Sequence, residues 1–93
     1  MAKSIMQKDR RCFMCGSVTD LECHHVMSGT ANRKLSEKYG LTVWLCPMHH
    51  RSNYGVHQNR GLEDSLKRLA QLAFEARHSH DEWMQIFRKN YLK

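Results

Sequence analysis

Cys46-Pro47-Met48-His49-His50 packs three metal-competent side chains into one short stretch. Cys46 and His49 have C-x2-H spacing, and upstream Cys12 and Cys15 have C-x2-C spacing. Three thiolates and one imidazole make a tetrahedral zinc set. A lone C-x2-C serves redox chemistry as readily as zinc, but a thioredoxin-like role needs a βαβ context and none follows. The second half-motif makes zinc the stronger reading. The rival sets exchange His49 for His50 or for Cys23. With His49 on the sulfurs, His50 is left to join His24-His25 in a second centre. Imidazoles titrate near neutrality, so such a cluster can ligate a divalent cation or accept a proton at working pH. The bland alternative is that these three histidines are structural, or are extra zinc ligands in a binding finger.

The elements that must position these groups follow from local pattern. Gly16 follows Cys15 and permits the positive-φ turn of a cysteine knuckle. Leu21–Val26 reads as a short strand, and Thr42-Val43-Trp44-Leu45, β-branched and aromatic, reads as a second. Cys23 alternates with His24, so it faces away from it and is expected in the core. Between the strands, Ala31–Tyr39 is expected to make two helical turns, stopped by Gly40. Pro47 suits a first helical turn, and a helix is expected from Pro47 to about Tyr54, ended by Gly55. Leu62, Leu66, Leu69, Ala70, Ala73 and Phe74 recur at helical spacing, which predicts an amphipathic helix from about Gly61 to Arg77. Ser79-x-x-Glu82 is a capping box for a further helix. Trp44, Trp83 and Phe87 are expected in the core.

Composition bounds the rest. Ninety-three residues make one domain with a thin core, which a structural metal would staple. Lys plus Arg number 15 against 9 Asp plus Glu, a formal charge of +6 that favours an anionic partner such as nucleic acid. No apolar run approaches a membrane span, and no signal-like segment opens the chain. An intracellular setting is therefore expected, where four cysteines serve as ligands in preference to disulfides. Residues 1–11 are polar and basic and are expected to form a loose arm or a short lead-in helix.

His24-His25 at a strand end, followed by His50 on a helix, resembles an HNH endonuclease of the His-Me finger (ββα-metal) type, in a small form like those of phages and prophages. The likeness covers roughly residues 12–59, with the helical tail at residues 60–93 a weaker match. The resemblance implies an α+β fold, with a ββα-metal core on a zinc knuckle and C-terminal helices. It also implies divalent-metal-dependent cleavage of DNA to 5′-phosphate and 3′-hydroxyl ends. His24 would then be a metal ligand, His25 the general base and His50 a second ligand. The ion would be Mg²⁺ or Mn²⁺, with Ni²⁺ or Zn²⁺ admitted by histidine ligands. A cytoplasmic setting in a bacterial host follows, with a homodimer or phage protein partners open. His57 is either a third ligand or phosphate contact, or a surface histidine. The family's middle asparagine, which orients the base, has no ungapped match, because Gly40-Leu41 stand in its place. Either Asn32 or a backbone carbonyl would orient His25. Arg33, Lys34, Arg51 and Arg60 are candidate phosphate contacts, whereas Lys67, Arg68 and Arg77 read as a solvated helix face. Without a recognition helix, low sequence specificity is expected. The alternatives are a zinc-stabilised nucleic-acid-binding module without catalysis, and a phage adaptor docking a protein through the Trp83–Tyr91 helix.

Overall fold

Thr42–Leu45 (β2) pairs antiparallel with Glu22–His25 (β1) in a computed structural model that describes residues 3–51, 55 and 58–92. The β-branched and aromatic side chains of β2 suit a pleated, half-buried surface. His24 stands opposite Val43, and Glu22 opposite Leu45. These four share one face, on which Val43, Leu45 and His24 are buried. The other face carries Cys23, His25, Thr42 and Trp44. Cys23 and Trp44 are half-buried there, and neither belongs to the core expected of them.

Thr30–Tyr39 (α1) bridges the strands. It stops where Gly40 adopts a left-handed φ of 71° and returns its N–H to Ser36. A side chain at Gly40 would also collide with the Lys3 carbonyl. That contact belongs to the N-terminal segment, whose described residues 3–11 form no helix and dock by hydrogen bonds. The Ile5 N–H donates to the Gly40 carbonyl (2.9 Å), the Ser4 hydroxyl to the Thr42 carbonyl (2.5 Å), and the Trp44 N–H to Gln7 Oε1 (2.9 Å). Polar side chains thus cover the outer edge of β2, which would otherwise invite strand pairing.

Pro47–His50 (α2) is a single turn capped by Cys46 and ending at Arg51, shorter than expected; residues 52–54 lie outside the described residues. Gly55 sits against the backbone of His49 and His50, where a Cβ would come within 2.9 Å of either carbonyl carbon.

Arg60–Glu75 (α3) starts at Asn59, whose side chain accepts the Leu62 N–H. Leu66, Ala70 and Phe74, spaced four apart, are buried, whereas Leu69 is 42% exposed. The core stripe is therefore narrower than the hydrophobic count implied. His80–Phe87 (α4) begins with both bonds of the Ser79/Glu82 capping box. Trp83 is fully buried against Phe74, and its Nε1–H donates to the Lys89 carbonyl (2.8 Å). The result is an α+β domain, a two-stranded antiparallel sheet with four helices among the described residues. None of these helices is long and apolar enough to cross a membrane.

Candidate metal centres

Cys12, Cys15, Cys46 and His49 bring one ligand atom each to within 4.8 Å of one another. Zinc bonds of about 2.3 Å to sulfur and 2.0 Å to nitrogen, at tetrahedral angles, put ligand atoms roughly 3.5–3.8 Å apart. Here Cys15 Sγ and Cys46 Sγ are 3.7 Å apart, Cys12 Sγ and His49 Nδ1 3.7 Å, and Cys46 Sγ and His49 Nδ1 3.2 Å. The group can hold a metal ion such as zinc, as its spacing predicts. The knuckle closes because the Gly16 N–H donates to the Cys12 carbonyl with Gly16 at φ 80°. Pro47 and Cys46 start α2 so that His49 falls one turn from Cys46. Burial pushes the Cys12 thiol up, but the backbone N–H groups of Cys46, Cys15 and Met14 outweigh it and bring its pKa down to about 6. The thiolate, the ligating form, is thereby favoured before any metal arrives. At Cys15 the Ser17 backbone favours the thiolate, but desolvation and the neighbouring Cys12 and Cys46 sulfurs prevail and raise the pKa. Cys23 lies on the sheet's other face. Burial first, then the Glu37 charge, push its thiol up.

His50, next in sequence to His49, turns away from the sulfurs. Its ring meets that of His24 edge to face, with centroids 5.2 Å apart. His24, His25 and His50 line one open cleft of about 420 Å³, together with Cys23, Ser28 and Arg33. His24 and His25 leave the strand on opposite faces and still share the cleft, because His25 is the last residue of β1. Carboxylates hold the rings of His50 and His25. His50 Nδ1 lies 2.7 Å from Glu22 Oε1, and His25 Nε2 lies 3.0 Å from Glu37 Oε1. A carboxylate only accepts, so the facing ring nitrogen carries the proton. In the neutral ring the lone pair is then on Nε2 of His50 and on Nδ1 of His25. A histidine donating its second nitrogen to a carboxylate is a common arrangement for a metal ligand. The His50 hydrogen bond, opposed by a smaller desolvation and helped by Arg51, holds the Glu22 carboxyl below its usual range. Glu63 of α3 approaches the same end. Burial would raise its pKa, but the Lys67 ammonium, the Ser28 hydroxyl and the His24 charge together lower it.

The remaining candidates divide. Arg33 lines the histidine cleft. Arg51 reaches Glu22 at 2.5 Å, beside His50. Lys34 is exposed on α1 and is not among the described residues lining that cleft. Arg60 stands apart, at a smaller cleft with Glu63, Asp64, Lys67 and Lys89. His57 lies outside the described residues. Asn32 is half-buried on α1, and among the described residues no hydrogen bond joins it to His25; Glu37 takes that position. Glu22 and Glu37 went unnoticed in the sequence. Strand alternation could have flagged Glu22, two residues before His24, but nothing local marks Glu37. Among the described residues, the Cys12–Cys15–Cys46–His49 group is the only one that brings three or more such ligands together. Comparisons of the chain with models of known families, with curated proteins and with solved structures find no match.

Proposed function

We propose that this protein is a metal-dependent endonuclease, in which β1, β2 and α2 form a ββα-metal core of the His-Me finger type. Cys12, Cys15, Cys46 and His49 would hold a structural zinc. The observation that carries the reading is that His24, His25 and His50 line one open cleft while the adjacent His49 belongs to a different, closed ligand set.

His25 acts as general base through Nδ1, its ring fixed by the Glu37 carboxylate on Nε2. A water loses a proton to Nδ1 as its oxygen bonds to phosphorus. The P–O3′ bond breaks, and its electron pair leaves with the 3′ oxygen, which takes a proton from solvent. One product carries a 5′-phosphate and the other a 3′-hydroxyl. His24 and His50 would ligate the divalent ion, Mg²⁺ or Mn²⁺, with water and substrate oxygens completing the shell. The ion would supply positive charge against the phosphate and leaving oxygen. Glu22 fixes the ring of His50, and Arg33 neutralises a phosphate of the DNA strand. His57 is proposed as a further ligand, and Lys34, Arg51 and Arg60 as phosphate contacts outside the centre.

Supercoiled plasmid incubated with Mg²⁺ or Mn²⁺ tests the reading. His25→Ala should lower nicking by about 10²- to 10⁴-fold while still shifting DNA and melting like the parent. Equal nicking by the variant would contradict it. A second reading, a zinc-stabilised DNA-binding module, is favoured by the lack of a second group of three ligands among the described residues. A DNA shift without cleavage under any divalent ion would establish that one.

A further inference from the structure

On the sheet's outer face, Cys23 lines both the histidine cleft and a second, larger cleft of about 520 Å³. The two therefore adjoin. The second cleft is closed by the docked N-terminal segment, which contributes Lys3, Gln7 and Lys8, while β2 contributes Trp44. Its volume falls in the range of small-ligand sites. It carries two ammonium groups and no carboxylate among its lining residues. In the cleft beside Arg60, by contrast, Glu63 and Asp64 offset the cations. Trp44 is half-buried, and the Arg10 guanidinium lies over its ring, 4.5 Å from the centroid. An indole flanked by cations matches a nucleotide in both parts: the base stacks on the ring and the phosphate meets the charges. A base inside a duplex already has both faces covered by its neighbours. The occupant must therefore be unpaired.

We infer that the Lys3–Lys8–Trp44 cleft binds an unpaired nucleotide of a DNA strand whose neighbouring phosphate lies in the histidine cleft. The inference deepens the cleavage reading by giving its substrate a single-stranded segment. Its readout is binding, so either can fail alone.

The test is intrinsic fluorescence of the full chain titrated with oligo-dT of about ten nucleotides, a length within the usual single-strand site size. The other tryptophan, Trp83, is fully buried, so quenching on binding reports Trp44. Oligo-dT should quench emission, and a duplex of equal length should compete at least tenfold less well. Trp44→Leu should abolish the quench and weaken binding, followed by anisotropy of labelled oligo-dT, by about tenfold. Joint replacement Lys3→Gln and Lys8→Gln, both at exposed positions, should leave the melt unchanged and reduce the salt slope of binding by roughly 1.4. Equal competition by duplex, or unaltered affinity in both variants, would overturn the inference. Quenching without plasmid nicking would uphold this cleft and sink the cleavage reading. Nicking without quenching would do the reverse.

Discussion

His49 and His50 are neighbours on one helical turn, yet they serve regions of opposite character. Around His49 the ligand atoms crowd within 4.8 Å of one another, and four protein groups could together hold a metal ion such as zinc. Around His50 the rings face an open cleft, and the nearest acids hold imidazoles instead of competing for an ion. Closed sites suit structural metals, and open ones leave coordination positions for water and substrate. A single turn of helix anchored by Cys46 and Pro47 is enough to aim adjacent side chains at both. The fold around the sulfur cluster is thereby the scaffold of the histidine cleft.

That contrast can be broken most severely at the sulfurs. Cys46→Ser should abolish cooperative thermal unfolding, because binding a structural zinc is coupled to folding and its free energy rivals the ~5–15 kcal/mol stability of an entire small domain. A variant that melts like the parent would show that the cluster is not a staple. The next effect lies in the open cleft. Glu37→Ala should lower kcat by about 10- to 100-fold through loss of ring orientation, with KM and DNA affinity unchanged. Glu37→Gln, whose amide can donate to Nε2 and drive the ring proton onto Nδ1, should be at least as slow as Ala, and a Gln variant as fast as the parent would show that the carboxylate does not act by holding the proton on Nε2. Glu22→Gln should weaken uptake of the second ion about tenfold without changing zinc content, read by titration calorimetry with Mn²⁺.

The smallest effect belongs to the helical tail, remote from both centres. The His80 hydrogen bond, then that of Gln71, holds the Glu75 carboxyl below its usual range. A lowered folded-state pKa means the contribution is present above the unfolded value, about 4.3, and disappears as pH falls through the folded one. Urea melts between pH 7 and pH 3 should show Glu75→Gln less stable than the parent by about 0.5 kcal/mol at neutral pH, with the difference closing in acid. A difference that does not narrow at all as the pH falls would mean the pair is not its source.

Much of this arrangement was legible from local signals. The two half-motifs place four ligands, Gly40 stops α1 with a left-handed residue, and Ser79-x-x-Glu82 starts α4. What escaped depends on contacts between distant segments. The N-terminal segment docks through Ser4 and Gln7, polar residues that read as tail until the edge of β2 is known. Leu69 belongs to the apolar pattern of α3 but lies outside the buried arc of Leu66, Ala70 and Phe74. Glu37 reaches His25 only because α1 folds back beside β1, so the partner of the proposed base was invisible while the base itself was not.

Metal counting by native mass spectrometry on the parent chain and His50→Ala, each prepared with zinc and then titrated with Mn²⁺, bears most directly on the division between His49 and His50. Both proteins should retain one tightly held zinc, and only the parent should take up a second ion. Loss of the tight zinc from His50→Ala, or saturation of the parent at a single ion, would mean that the two histidines do not serve separate centres.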